Sequence, residues 1–257
     1  MTRSPLPDFI IIGAQKSATR WLRTNLGEHP DIYTAPSEVH FWNNGNRVRN
    51  HGLDWYREQF KDAGAARIVG EATPGYMIWR HHPDRVAARM HESMPDVRLI
   101  AVLRNPIDRA ASAVAHHVRR GRLAPETRLV DVVAEQTPER DRLCLVTGGW
   151  YGASLAPFAE HFGDRLLVLL HDDVSIAPDC VYETALDHVG ADPQFRPREL
   201  AKTRFSNRSN RLFHSYDLSV DDRIALWEYF ANDVAALSTL IGRDLSHWDP
   251  TSTRVVR

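Results

Sequence analysis

Short apolar, β-branched runs alternate along the chain with longer stretches in which apolar residues recur at helical spacing. The runs Phe9-Ile12, Arg67-Gly70, Arg98-Leu103 and Leu166-Leu170 predict strands. Helical periodicity predicts helices over Arg20-Glu28, Pro83-Met94, Ile107-Arg119, Ala153-His161, Val181-Val189 and Asp221-Ile241. Strands and helices in alternation make a central parallel sheet flanked by helices, so an α/β fold is expected. The segment Arg196 to Ser215, rich in Arg, Asn and Ser and without periodicity, reads as a long loop. No repeat or linker divides the chain, and residues 1–257 are expected to form one domain around one core.

Charge narrows the choice of partner. The 32 basic and 33 acidic side chains leave a formal charge of -1. Such a surface is not built to hold a polyanion along its whole length, so nucleic acid is not an expected partner and any anion site is local. The two cysteines, Cys144 and Cys180, are too few for a disulfide framework and lack metal-binding spacing, which fits a reducing, cytoplasmic location. The apolar run that ends at Gly13 is too short for a signal-peptide core, and no later stretch is long enough to span a bilayer.

The strand Phe9-Ile12 runs into Gly13-Ala14-Gln15-Lys16-Ser17-Ala18-Thr19-Arg20, and Trp21, Leu22, Asn25 and Leu26 then start a helix. A small-residue turn, a lysine, hydroxyls and a helix N-terminus gather N-H groups, a positive dipole end and a cation around one anion. Only Ala14 and Gln15 separate Gly13 from Lys16, so this is not the longer nucleotide-triphosphate loop. Taken alone, the same residues also fit a plain turn carrying a solvated lysine. A second anion site follows at the end of the strand Arg98-Leu103. There Arg104 and, from the next helix, Ser112 bring a guanidinium fork and a hydroxyl toward one phosphate, with Arg109 on the same helix. Strand ends of this kind are where open α/β sheets bind ligands.

With both segments in view, the chain resembles the PAPS-dependent sulfotransferases, in particular the branch of heparan sulfate sulfotransferases and their soluble bacterial relatives. Gly13 to Arg20 is similar to that family's 5'-phosphosulfate loop, and Arg104-Asn105-Pro106 through Ser112 to its 3'-phosphate motif. Ser37-Glu38-Val39-His40-Phe41-Trp42 resembles the segment that carries the general base, and Gly70-Glu71-Ala72-Thr73-Pro74-Gly75-Tyr76 a motif that lines the cleft. Gly149-Trp150-Tyr151 and Leu240 to Leu245 are similar to further family segments. Three positions depart from the pattern: Ala18 and Ser37 replace a glycine and a lysine, and Gly148 stands where an arginine is common.

The resemblance implies a P-loop-type three-layer fold and transfer of a sulfuryl group from PAPS (3'-phosphoadenosine 5'-phosphosulfate), leaving PAP, with no metal. The acceptor is a hydroxyl or amine of a small molecule, glycolipid or carbohydrate-bearing compound. Gln15, Lys16, Ser17, Ala18, Thr19, Arg20, Arg104, Ser112, Tyr151 and Arg208 are the expected donor-binding residues, with Lys16 on the leaving phosphate. Glu38 is the expected base, its pKa raised by burial beside Phe41 and Trp42, and His40 is the rival. Glu38, His40, Trp42, Glu71 and Tyr76 are expected at the acceptor, with Trp55, Tyr56 and Trp79 as further aromatic walls. Two alternatives remain open: a P-loop kinase that uses His171-Asp172-Asp173 as a magnesium-binding strand end, and a nucleotide-binding protein without catalysis. The oligomeric state is not readable from one chain.

Overall fold

A computed structural model describes residues 5–134, 137–198, 200 and 218–252. In chain order the elements are β1 (Phe9–Gly13), α1 (Thr19–Leu26), β2 (Ile32–Thr34), α2 (Gly45–Glu58), β3 (Ile68–Ala72), α3 (Pro83–Ser93) and β4 (Arg98–Leu103). They continue with α4 (Pro106–Arg119), α5 (Leu129–Ala134), α6 (Tyr151–Phe162), β5 (Leu166–Leu170), α7 (His171–Ile176), α8 (Pro178–Val189), α9 (Val220–Trp227) and α10 (Ala231–Ile241).

The strands form one parallel sheet in the order β2-β3-β1-β4-β5. Successive side chains of a strand point to opposite faces, and both faces of β1 are covered. Phe9 and Ile11 pack with Trp21, Leu22 and Leu26 of α1 and with Val181, Tyr182 and Leu186 of α8. Ile10 and Ile12 face the other way, into Met90 of α3, Ala110 and Val114 of α4, Leu155 of α6 and Leu237 of α10. A sheet buried on both sides explains why its strands are continuous apolar runs.

The expected α/β fold with a helix-flanked parallel sheet is what the structure contains, but four elements were missed, the six-residue α5 among them. β2 is three residues long, too short for a pattern. Gly52, at φ 66 and ψ -175, kinks α2 and interrupts its period. α7 follows β5 without a turn signal. The single helix expected over Asp221-Ile241 is two, α9 and α10. The long loop expected from Arg196 lies almost wholly outside the described residues.

The crossover from β3 to β4 carries the chain past β1, so the carboxyl ends of β1, β3 and β4 stand side by side. The segments after those three strands, together with the one after β2, build the site.

Candidate active site

After β1 the Ala14 N-H donates to the Val102 carbonyl at 2.8 Å, which turns the loop over the sheet edge. Lys16 and Ala18 then take φ 71 and 74, the left-handed conformation that turns neighbouring N-H groups into a concave nest. α1 starts at Thr19 without a side-chain cap, so its first amides point unfilled toward the loop. Ser17 is fully buried, and its Oγ has no hydrogen-bond partner. Gln15 borders a recess with Pro74, Met77, Arg109 and Gly148; Thr19 is buried, and Arg20, expected to close the loop, is exposed. A Cβ at Gly13 would lie 1.9 Å from Met77 Sδ, so any larger residue there would have to displace the Met77 side chain.

Ala18 stands at a left-handed position that disfavours any Cβ, so Ala18→Gly is expected to raise stability by about 1 kcal/mol. Urea denaturation measures this. An unchanged or lower midpoint would mean that the strain is absent in solution.

The second segment closes on the first. Arg104, at the end of β4, directs Nη1 at the Lys16 carbonyl at 3.5 Å. Asn105 caps α4 by accepting from the Ile107 and Asp108 amides, and Ser112 lies half-buried further along that helix. Arg109 is 1% exposed; its Nη2 donates to the Leu145 carbonyl, and its Nε has no acceptor. Tyr151, the first residue of α6, is buried beside Ser17 and Arg104, and burial, opposed by Arg109, pushes its pKa up to about 12. The Ser17 and Tyr151 hydroxyls face each other without completing a directed hydrogen bond, so both keep unused capacity.

Positive charge crowds this spot. Lys16 is lowered to about 8, first by burial and then by Arg119 and Arg109, with Glu38 pulling the other way and Arg120 adding to the depression. His116 is lowered to about 4 by burial and then by Lys16, and His171 to about 4 by burial and then by Arg104. No ion pair engages Lys16 or Arg104 among the described residues. Surplus donors and a cluster of cations around an uncapped helix start fit a ligand that brings phosphate or sulfate.

Glu38 follows β2 and pairs with His40, Oε2 to Nε2 at 2.9 Å. The expected burial of Glu38 does not occur: its side chain is 46% exposed. Phe41 and Trp42 turn inward instead, Phe41 stacking on Tyr56 at a ring-centroid distance of 4.8 Å and Trp42 meeting it edge-on at 5.2 Å. Trp42, Glu71 and Tyr76, expected to touch the acceptor, are 1%, 0% and 0% exposed, and Tyr56 is likewise at 0%. Their side chains belong to the core and present no surface to an acceptor. Trp55 lies under the Arg47 guanidinium, and Trp79 packs edge-on against Trp150.

The surroundings of His40 set its tautomer. The Asn43 Nδ2 donates to the Gly75 carbonyl at 3.3 Å and reaches His40 Nδ1 at 3.4 Å. Only an N-H can face that carbonyl, so His40 Nδ1 accepts and Nε2-H points at Glu38.

The family model described as a sulfotransferase domain matches residues 6–153, more than half of the chain. The chain belongs to the sulfotransferase family. Heparan sulfate glucosamine 3-O-sulfotransferase 6 of Homo sapiens is 32% identical over 159 residues, 62% of this chain and 42% of that protein. Heparan sulfate glucosamine 3-O-sulfotransferase 3B1 of Mus musculus is 38% identical over 107 residues, 42% of this chain and 26% of that protein. The sulfotransferase-family chain thus spans less than half the length of these relatives. The crystal structure of a sulfotransferase from Alicyclobacillus acidocaldarius superposes with a TM-score of 0.79 at 30% identity, covering 95% of this chain and 99% of that one. A sulfotransferase domain from the curacin biosynthetic pathway shares the fold, with a TM-score of 0.51 at 12% identity.

Within this sulfotransferase domain two of the three departures have a visible setting, and one of them a reason. Ala18 occupies the left-handed position for which the family uses glycine. At Gly148 a Cβ would lie 2.7 Å from Arg109 Nη1, so Arg109 fills the space there. The carboxylates after β5 are engaged. Asp173 pairs with both Arg243 nitrogens at 2.6 and 2.7 Å, and Asp172 accepts from Trp248 Nε1 at 2.7 Å with His247 at 3.2 Å. No group of three or more His, Cys, Asp or Glu side chains able to hold a metal occurs among the described residues. Arg208, expected over the 3'-phosphate, lies outside the described residues.

Sequence reasoning left Thr73, Asn43, Arg119 and Arg120 without a role. The Arg119-Arg120 pair closing α4 was a readable signal, whereas the parts played by Thr73 and Asn43 depend on the packing of separate segments.

Proposed function

We propose that the protein transfers a sulfuryl group from PAPS to a hydroxyl or amine of a small-molecule, glycolipid or carbohydrate-bearing acceptor. The observation that carries this reading is the meeting of Lys16, Ser17 and Arg104 in one cation-rich spot, where among the described residues no carboxylate pairs with either cation. The donor, when bound, supplies a sulfuryl group activated by its phosphate leaving group. Lys16, the Ser17 hydroxyl and the first amides of α1 hold the 5' end and offset the charge that builds on the bridging oxygen. Arg104 and Ser112 hold the 3'-phosphate, with Gln15, Ala18, Thr19 and Tyr151 shaping the pocket.

Glu38 is the base and His40 orients it. His40 Nε2-H donates to Glu38 Oε2 while its Nδ1 faces Asn43, so the ring is placed to orient the carboxylate. Glu38 keeps a second oxygen for the acceptor's proton. Among the described residues no helix is long and apolar enough to cross a membrane. Two unbridged cysteines, buried Cys144 and exposed Cys180, support a reducing, cytoplasmic setting.

Calorimetric titration with adenosine 3',5'-bisphosphate, AMP and ATP, without metal, tests the donor. The bisphosphate is expected to bind most tightly, and Arg104→Ala to weaken it by about 30-fold or more while leaving AMP little changed. ATP binding as tightly as the bisphosphate would favour the kinase instead.

A further inference from the structure

Glu71 is fully buried, yet its carboxylate accepts three hydroxyl hydrogens: Tyr56 at 2.5 Å and Tyr76 at 2.9 Å on Oε1, and Thr73 at 2.7 Å on Oε2. A hydroxyl has a single hydrogen, so giving it to Glu71 leaves only lone pairs for other neighbours. Those lone pairs meet the segment that bears Glu38. Thr73 Oγ1 accepts from the Val39 amide at 3.0 Å and the His40 amide at 3.4 Å, and Tyr76 OH accepts from the Phe41 amide at 3.2 Å. Three consecutive amides therefore rest on two hydroxyls whose polarity Glu71 sets. Arg47 Nη1 holds the same segment from α2, donating to the Val39 carbonyl at 2.5 Å.

The segment needs holding. His40 sits at φ 52, a left-handed conformation that is strained for an L-residue. It returns Nε2 toward Glu38, and without the anchored amides on either side the chain would relax away from it.

We propose that Glu71 is a positioning residue, which acts through Thr73 and Tyr76 to fix residues 39–41 and thereby aims Glu38 at the acceptor. Its charged, acceptor-only form is what the device requires. Burial pushes the Glu71 pKa up, and the three hydroxyl donors offset only part of that rise. A glutamine has the same shape but carries an N-H₂ group, so at least one hydroxyl must reverse and compete with an amide donor. The proposal rests on the reading of Glu38 as base.

The test is Glu71→Gln in the full chain, with two readouts. Amide hydrogen exchange needs no acceptor: Val39, His40 and Phe41 are expected to exchange about tenfold faster or more, with the phosphate loop and bisphosphate affinity unchanged. Sulfuryl transfer from PAPS to a glucosamine-containing hexasaccharide and to 2-naphthol, used as probes, is expected to lose about 100-fold in kcat with donor KM retained. In a Glu38→Gln background the same change is expected to add less than about threefold, because the two residues act as one unit. Thr73→Ser should behave like the native chain and Thr73→Val like Glu71→Gln, and this pair decides the matter if Glu71→Gln fails to fold.

Native exchange rates at the three amides, or a full extra loss on top of Glu38→Gln, would overturn the proposal. Native turnover in Glu38→Gln alone would instead remove the base assignment, and the exchange rates would still report whether Glu71 anchors the segment.

Discussion

Lys16→Ala is expected to lower kcat by about three orders of magnitude, the loss seen when one preorganised donor is removed from a developing charge. The expectation follows from how the protein keeps this lysine. Burial, Arg119 and Arg109 lower its pKa from 10.5 to about 8, and no ion pair repays that cost among the described residues. A bound anion would. The bisphosphate is therefore expected to raise the Lys16 pKa again and to take up protons on binding above about pH 8. Titrations in buffers of different ionisation enthalpy measure that uptake, and its absence, or its survival in Lys16→Ala, would take Lys16 out of the anion site.

The same shift has a stability consequence with a definite sign. A lysine whose pKa is lower in the folded than in the unfolded chain costs stability at every pH below its folded value. That cost fades as pH rises from about 8 toward 10.5, because the unfolded state binds more protons in this window. Lys16→Met, which removes the charge and keeps the stem, is thus expected to melt higher than the native ligand-free protein at pH 7 while losing turnover. A buried charge that weakens the ligand-free fold is better explained by a bound counter-charge than by packing. A lower melting point for Lys16→Met would show that the lysine is a structural cation instead.

What the sequence made legible was whatever is local. The apolar run Phe9-Ile12 followed by Gly13, Lys16 and Ser17 needs only neighbours along the chain to be read as a phosphate loop. Arg104 at the end of Arg98-Leu103 is equally local. That the two meet follows from β1 and β4 being adjacent, which the parallel order makes natural. Burial, by contrast, is set by which face packs on which element. Val39, Phe41 and Trp42 carry the apolar pattern, but no spacing shows that they turn under α2 while Glu38 is left at the rim. Glu71 was misplaced for the same reason. Its partners Tyr56, Thr73 and Tyr76 come from two elements, and a carboxylate with three hydroxyl donors can be buried where an unpartnered one cannot. Gly52 hid α2 by breaking its period, and a three-residue β2 carries too few positions to show one.

Glu38→Gln is expected to reduce kcat by about 10³-fold, within the range for loss of a general base, and to leave bisphosphate affinity unchanged. The exposed position of Glu38 does not count against this, because a general base has to reach the proton of an acceptor that arrives from solvent. What the site supplies beforehand is aim. His40 Nε2-H fixes one carboxylate oxygen, Asn43 fixes the ring behind it, and Gly75 fixes Asn43. His40→Gln, which removes the imidazole but keeps a donor of similar reach, should therefore lose only about tenfold, through geometry rather than proton transfer. If His40 were the base, the order would invert, with His40→Gln nearly inactive and Glu38→Gln only weakened. Single-turnover transfer to a common probe acceptor at matched donor saturation separates the two. The inverted order would also require His40 Nδ1 to be free of Asn43, so Asn43→Ala would then raise activity, whereas with Glu38 as base it lowers it.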